Sequence, residues 1–226
     1  MTERASYGAG LAALRPGGVA ITEEALSHLL IDTDTRLLDI GCGRGESLAW
    51  VQQRFGCHCA GVDLAADYAA QAAAACPAAD IRQGDAGKLP FAAASFDIVL
   101  LECVFSLLQD TDAALHEIRR VLVPGGSLVL SDVYARAEGV RFDAVQPDAT
   151  QPLLYMLPDL DVFAASLEQG GFQLLYFADH SDSLLQMLGQ MILDGSACAC
   201  LSAQDLARLR RARAGYALWI WRKVLP

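Results

Sequence analysis

The 226-residue chain is short of positive charge. Lysine and arginine number 17 against 27 aspartates and glutamates, a formal net charge of −10. A general nucleic-acid binder carries a basic face, so that class is excluded, and so is docking to anionic membrane surfaces. Long apolar runs are also missing. The longest, Ile98 to Leu108, is interrupted by Glu102 and is too short to span a bilayer. The N-terminus lacks the basic-then-apolar pattern of a secretory signal, and the seven cysteines form an odd count in apolar or strand-like contexts. The expectation is therefore free thiols in a reducing cytoplasm. There is no C-x-x-C pair. Cys57-His58-Cys59 and Cys198-Ala199-Cys200 are C-x-C. Cys57 and Cys59 share one face of a strand and read as packing residues. Cys198 and Cys200, in a small-residue loop, leave a soft-metal role as the alternative.

What is present is a 54% hydrophobic chain of a length that suits one domain. Its organising stretch is Leu37-Leu38-Asp39-Ile40-Gly41-Cys42-Gly43-Arg44-Gly45. A buried strand leads into three alternate glycines, and Glu46 to Phe55 reads as the helix behind them. Glycine allows positive φ and lets a ligand lie against bare backbone, and the following helix N-terminus presents free N–H groups. The spacing is G-x-G-x-G, not the G-x-G-x-x-G of dinucleotide folds, which counts against an NAD-dependent oxidoreductase. The next strand, Cys59 to Leu64, ends in Asp63, about 20 residues on, where a carboxylate can accept from a ribose diol. The alternative is that Asp63 caps the next helix. A third strand end, Gly84-Asp85-Ala86, places a carboxylate where it can accept from an adenine amino group.

These residues, with Leu89-Pro90-Phe91, Ser95-Phe96-Asp97-Ile98-Val99, Glu117-Ile118-Arg119-Arg120-Val121-Leu122 and Pro124-Gly125-Gly126, occur in an order that resembles the class I S-adenosylmethionine-dependent methyltransferases, specifically the small-molecule branch. The resemblance covers residues 35–135. It implies that Gly41, Gly43 and Gly45 pack against the methionine part of S-adenosylmethionine, that Asp63 binds the ribose hydroxyls, and that Asp85 and Ala86 contact adenine. It also implies that Glu102 and Cys103 flank the sulfonium and that Asp39 orients the turn; Cys42, Leu64 and Gly84 complete the cofactor-binding set. The implied activity is methyl transfer to a small-molecule acceptor, with a non-catalytic cofactor-binding or assembly protein as the alternative. A homodimer is a possible assembly.

Along the chain, strands and helices alternate, as a doubly wound α/β sheet requires. The expected fold is Rossmann-like: seven strands, mostly parallel, with strand seven antiparallel as the resemblance implies. The single domain divides into an arm and helix (1–34), a cofactor-binding core (35–135) and a substrate-side half (136–226). Thr22 opens the first helix, and Tyr7 and Arg15 before it are candidates for a lid or a plain surface arm. The fifth strand is expected over Ser127–Asp132, after a Pro124-Gly125-Gly126 turn, and the seventh over Gly215–Lys223. Between strands six and seven, residues 181–213 read as a two-helix insert. Its arginines Arg208, Arg210, Arg211 and Arg213 form either a solvated face or a basic patch for an acidic substrate or partner. Polar candidates for the acceptor side are Glu102, Ser106, Asp132, Tyr134, Tyr155 and His180. His28, His58 and His116 read as structural. No metal site is expected.

Overall fold

A computed structural model describes residues 15–136, 160–193 and 203–225. Seven strands form one sheet in the order β3-β2-β1-β4-β5-β7-β6. They are β1 (Arg36–Ile40), β2 (His58–Asp63), β3 (Asp80–Gln83), β4 (Phe96–Glu102), β5 (Leu122–Tyr134), β6 (Phe172–Asp179) and β7 (Gly215–Lys223). β1 to β5 pair in parallel, whereas β7 runs antiparallel to both β5 and β6. The order reverses between β1 and β4, and in open α/β sheets the crevice beyond the strands' carboxyl ends at such a reversal is where ligands bind.

The helices are α1 (Val19–Ser27), α2 (Glu46–Phe55), α3 (Ala66–Ala75), α4 (Thr111–Val121), α5 (Leu160–Gln169), α6 (Ser181–Leu193) and α7 (Ala203–Arg211). Two buried layers sandwich the sheet. One holds Leu26, Leu37, Leu48, Val51 and Ala72 with Leu184 and Leu209. The other holds Leu38, Ile40, Val99, Ile118, Leu130, Phe163 and Trp221. Leu37 and Leu38 supply opposite layers, so β1 is apolar on both faces, as a covered parallel strand must be. None of the described helices is long and apolar enough to cross a membrane.

The structure departs from the sequence reading in two places. α1 begins at Val19, three residues before Thr22, because Gly18, at φ +53°, ends the loop and Thr22 is buried within the helix. β5 begins at Leu122, not Ser127: Pro124-Gly125-Gly126 lies inside the strand, where the β4–β5 register jumps between Phe96 opposite Leu122 and Ile98 opposite Ser127. Extra residues on one strand form a bulge, and Gly125, at φ +77°, supplies the backbone freedom that it needs. Tyr7, Tyr155, Cys198 and Cys200 lie outside the described residues.

Candidate cofactor and acceptor site

The glycine turn is bound to the end of β2: the N–H groups of Gly41 and Cys42 donate to the Val62 carbonyl at 2.7 and 3.1 Å. Gly41, Gly43 and Gly45 have φ of +72°, +53° and +83°. They do different work. A Cβ on Gly41 would stand 2.3 Å from Val104 Cγ2, and one on Gly45 would stand 3.1 Å from Ala72 Cα. Those two glycines permit close packing. A Cβ on Gly43 would meet nothing within 4 Å, so the bare backbone there faces open space.

Asp63, at the carboxyl end of β2, is buried and bridges two elements. One oxygen accepts from Gly43 N at 2.8 Å and the other from Ala65 N at 2.9 Å. It thus holds the open glycine and fixes Ala65, the residue that leads into α3, without capping the helix, and each oxygen retains a lone pair. Leu64 beside it is 71% exposed, an apolar surface at the rim. Gly84 N donates to Asp63 O at 2.9 Å; Ala86 is buried, whereas Asp85 is exposed and accepts from Gly87 N at 2.8 Å. This loop is anchored by Glu117 and Arg120 of α4. Glu117 accepts from Leu89 N and from both Nε and Nη2 of Arg120, while Arg120 donates to the Phe91 and Leu89 carbonyls. The Arg120 guanidinium holds the Glu117 carboxyl below its ordinary range.

The end of β4 carries a polar cluster centred on Glu102. Glu102 accepts from Thr22 Oγ1 and Ser47 Oγ, each at 2.7 Å, and from Arg15 Nη1. The Arg15 side chain is 12% exposed, and its electrostatic neighbours are Glu102, Asp39, Tyr216 and Cys103. Its Nη2 is one of two buried side-chain polar atoms without a partner among the described residues, the other being Trp221 Nε1. Asp39 is buried. Desolvation, reinforced by the charges of Glu102 and Asp63, raises its pKa well above that of a free carboxyl. The rim thus brings Asp39 and Glu102 around one guanidinium with a free donor, and Asp63 lies beside Asp39. Sequence reasoning placed Arg15 as part of a lid or a plain surface arm, and missed Thr22 and Ser47 as partners of Glu102. They carry no local signal, because α1 and α2 bring them to Glu102 across 80 and 55 residues.

Cys103 follows Glu102 at φ +56°, a left-handed conformation that non-glycine residues adopt at a cost. Its thiol lies 3.2 Å from the Tyr216 hydroxyl, which donates to Ser131 Oγ at 3.0 Å. Burial pushes both the Cys103 and Tyr216 pKa values up, so both stay protonated at neutral pH. Tyr216 was also missed; it reaches the site only because β7 runs antiparallel and starts at this rim. Cys42 is a buried thiol with its pKa raised by desolvation, near the Asp39 and Asp63 charges.

The acceptor-side candidates separate. Asp132 is buried and accepts from Ser106 N at 2.9 Å and Val133 N at 2.7 Å. Desolvation outweighs these bonds and raises its carboxyl to about 6. It fastens the 3-10 turn Phe105–Leu107 to β5, with Ser106 as its partner. Tyr134 instead donates to Asp179 at 2.8 Å, in a group with Arg136 and Ser181. These donors more than offset desolvation and lower Asp179 to about 2. His180 Nε2 pairs with Glu24 at 3.2 Å, and Glu24 also accepts from the Tyr176 hydroxyl at 3.0 Å. His28 stacks on Tyr176, centroids 3.9 Å apart. Cys57 and Cys59 are buried with Sγ atoms 3.9 Å apart, and no group of metal-ligating side chains occurs among the described residues.

Comparison with known proteins adds to this geometry. Residues 38–130 match a family model described as "Methyltransferase domain". The chain is similar to methyltransferase GfsG of Streptomyces halstedii, 27% identical over 177 residues, which cover 75% of this chain and 64% of that protein. It spans 35–64% of the length of the curated relatives that it matches first. The fold is similar to that of the [4+2]-cyclase SpnF, with a TM-score of 0.74, 23% identity and coverage of 92% of this chain and 82% of that one. It is equally similar to geranyl diphosphate methyltransferase in complex with SAM, with a TM-score of 0.74, 20% identity and coverage of 91% and 85%.

Proposed function

We propose, from the premise that this chain belongs to the class I S-adenosylmethionine-dependent methyltransferases, that it transfers a methyl group from S-adenosylmethionine to a small-molecule acceptor. The observation that carries the reading is the charge arrangement at the rim. Asp39 and Glu102 flank one guanidinium, Asp63 lies beside Asp39, and the glycine that Asp63 holds faces open space. That arrangement suits a ligand with cationic centres and one carboxylate, and the methionine end of S-adenosylmethionine has an ammonium, a sulfonium and a carboxylate. Arg15 Nη2 is the unpartnered donor for the carboxylate, and Asp39 and Glu102 face the cations. Asp63 has lone pairs left for the ribose hydroxyls, Leu64 offers an apolar face for adenine, and Ala86 and Asp85 close its edge.

When bound, the cofactor supplies a methyl group already activated on a sulfonium. The chain's own contribution is position and desolvation. Cys103 and Tyr216 remain protonated there, so neither is a competing nucleophile. The Asp132 carboxylate is occupied by backbone N–H groups. The acceptor therefore brings its own nucleophilic atom, and the enzyme orients it in line.

The test is turnover: purified protein with S-adenosylmethionine and a metabolite pool is assayed for S-adenosylhomocysteine. Acceptor-dependent product supports the reading. The likeness to a cyclase of the same fold favours one second reading, a chain that binds the cofactor without spending its methyl group. Saturable binding with no product from any pool would select that reading.

A further inference from the structure

The C-terminal end of α7 has an anomaly that the fold does not require. Ala214 N donates to the Leu209 carbonyl at 2.8 Å and Arg213 N to the Arg210 carbonyl at 3.1 Å. Those two bonds define a Schellman ending, whose left-handed residue is normally glycine because a Cβ is strained there. Here that residue is Arg213, at φ +50°. Glycine would close the helix better. Stability therefore does not account for an arginine at this position, and a strained non-glycine residue points to function.

Its surroundings say which. Arg210, Arg211 and Arg213 are all exposed, whereas Leu209 and Ala212 between them are buried. None of the three arginines has an acidic partner among the described residues, in a chain whose net charge is −10. The helix dipole favours cations in the last helical turn. It gives no reason for one in the left-handed residue beyond it.

The place is the active-site end of the sheet. Arg136 N, just past β5, donates to the Ala212 carbonyl at 3.1 Å, and Gly215 of β7 pairs with Tyr134. Ser131, three residues before Tyr134, lies opposite Glu102. At about 3.3 Å per residue, the patch stands on the order of 10 Å outward from the Glu102 cluster. Tyr216, three residues after Arg213, touches Cys103.

We infer that Arg213, with Arg210 and Arg211, recognises an anionic group, a phosphate or a carboxylate, on the methyl acceptor. This rests on the reading of the chain as a methyltransferase. Guanidinium forks bind both anions bidentately, and an acceptor that carries the anion roughly 10 Å from its reacting atom spans the two sites.

The experiment titrates the full chain, saturated with S-adenosylhomocysteine, with inorganic pyrophosphate and, separately, with succinate. The wild type is compared with Arg213→Gly and with Arg210→Gln/Arg211→Gln. Arg213→Gly relieves the strained backbone, so its melting temperature should be equal to or above that of the wild type, while its anion Kd rises about fivefold or more. The double variant should weaken the anion similarly, and both should hold S-adenosylmethionine within twofold of wild type. Preference for pyrophosphate assigns the acceptor's anion as phosphate, and preference for succinate as carboxylate. An unchanged anion Kd in Arg213→Gly, or a wild type that binds neither probe, overturns the inference. Failure of the wild type to bind S-adenosylmethionine strikes the methyltransferase reading instead; the anion titration, repeated without nucleoside, still decides the patch.

Discussion

At the scale of single residues, the three glycines of one motif have separate roles. Gly41→Ala drives a Cβ into Val104 and strains φ, so it should destabilise the protein by several kcal/mol. Gly43→Ala meets no atom; it should cost only about 1 kcal/mol of backbone strain while S-adenosylmethionine binding weakens at least tenfold. Chemical denaturation and calorimetry on both variants would separate the roles; equal loss of binding without loss of stability in Gly41→Ala would contradict them. Asp132 gives a pH prediction. Its folded pKa, about 6, is above the ordinary carboxyl value, so its contribution to stability is fully present below about pH 4. It is lost as pH rises through 6. Replacing it with Asn should remove up to roughly 3 kcal/mol of that decline between pH 4 and 7, measured by denaturation at each pH. A wild-type slope retained in Asp132→Asn would show that the carboxyl is not the source. The glycines, Asp39 and Asp63 were legible in the sequence because backbone freedom and strand-end acids leave a local pattern. Arg15, Thr22, Ser47 and Tyr216 were not, since they meet Glu102 and Cys103 only through tertiary packing.

At the scale of elements, α2 and β7 coincide with the sequence reading: α2 lies between Gly45 and Gly56, and β7 opens on Gly215 with a clear apolar pattern. β5 was misjudged because Pro-Gly-Gly is turn chemistry by local rules, and only the neighbouring β4 turns it into a bulge. The Glu117 and Arg120 pair explains why an acidic-basic helix motif and Leu89-Pro90-Phe91 occur together: one clamps the other. α4 opens on Asp110, whose carboxylate accepts from Ala113 N at 2.9 Å. Asp110→Ala should cost about 1 kcal/mol, the usual worth of such a cap, with cofactor affinity unchanged. Thermal unfolding with a parallel titration checks this; altered affinity would mean that α4 couples to the site more tightly than its contacts suggest.

At the scale of the molecule, the sheet's order of strands does the organising. The reversal between β1 and β4 gathers Asp39, Asp63 and Glu102 from three strand ends, and the loop before α1 brings Arg15 into an ion pair with Glu102. On the proposed reading, the acidic side chains at this rim favour a cationic nucleoside, and the arginines of α7 favour an anionic group on the acceptor. The most direct test is calorimetric titration of the wild type and Asp63→Ala with S-adenosylmethionine. The account predicts saturable one-to-one binding, weakened in the variant by about 1.5–3 kcal/mol, the worth of charged hydrogen bonds. Absence of binding to the wild type, or an unchanged dissociation constant in Asp63→Ala, would contradict it.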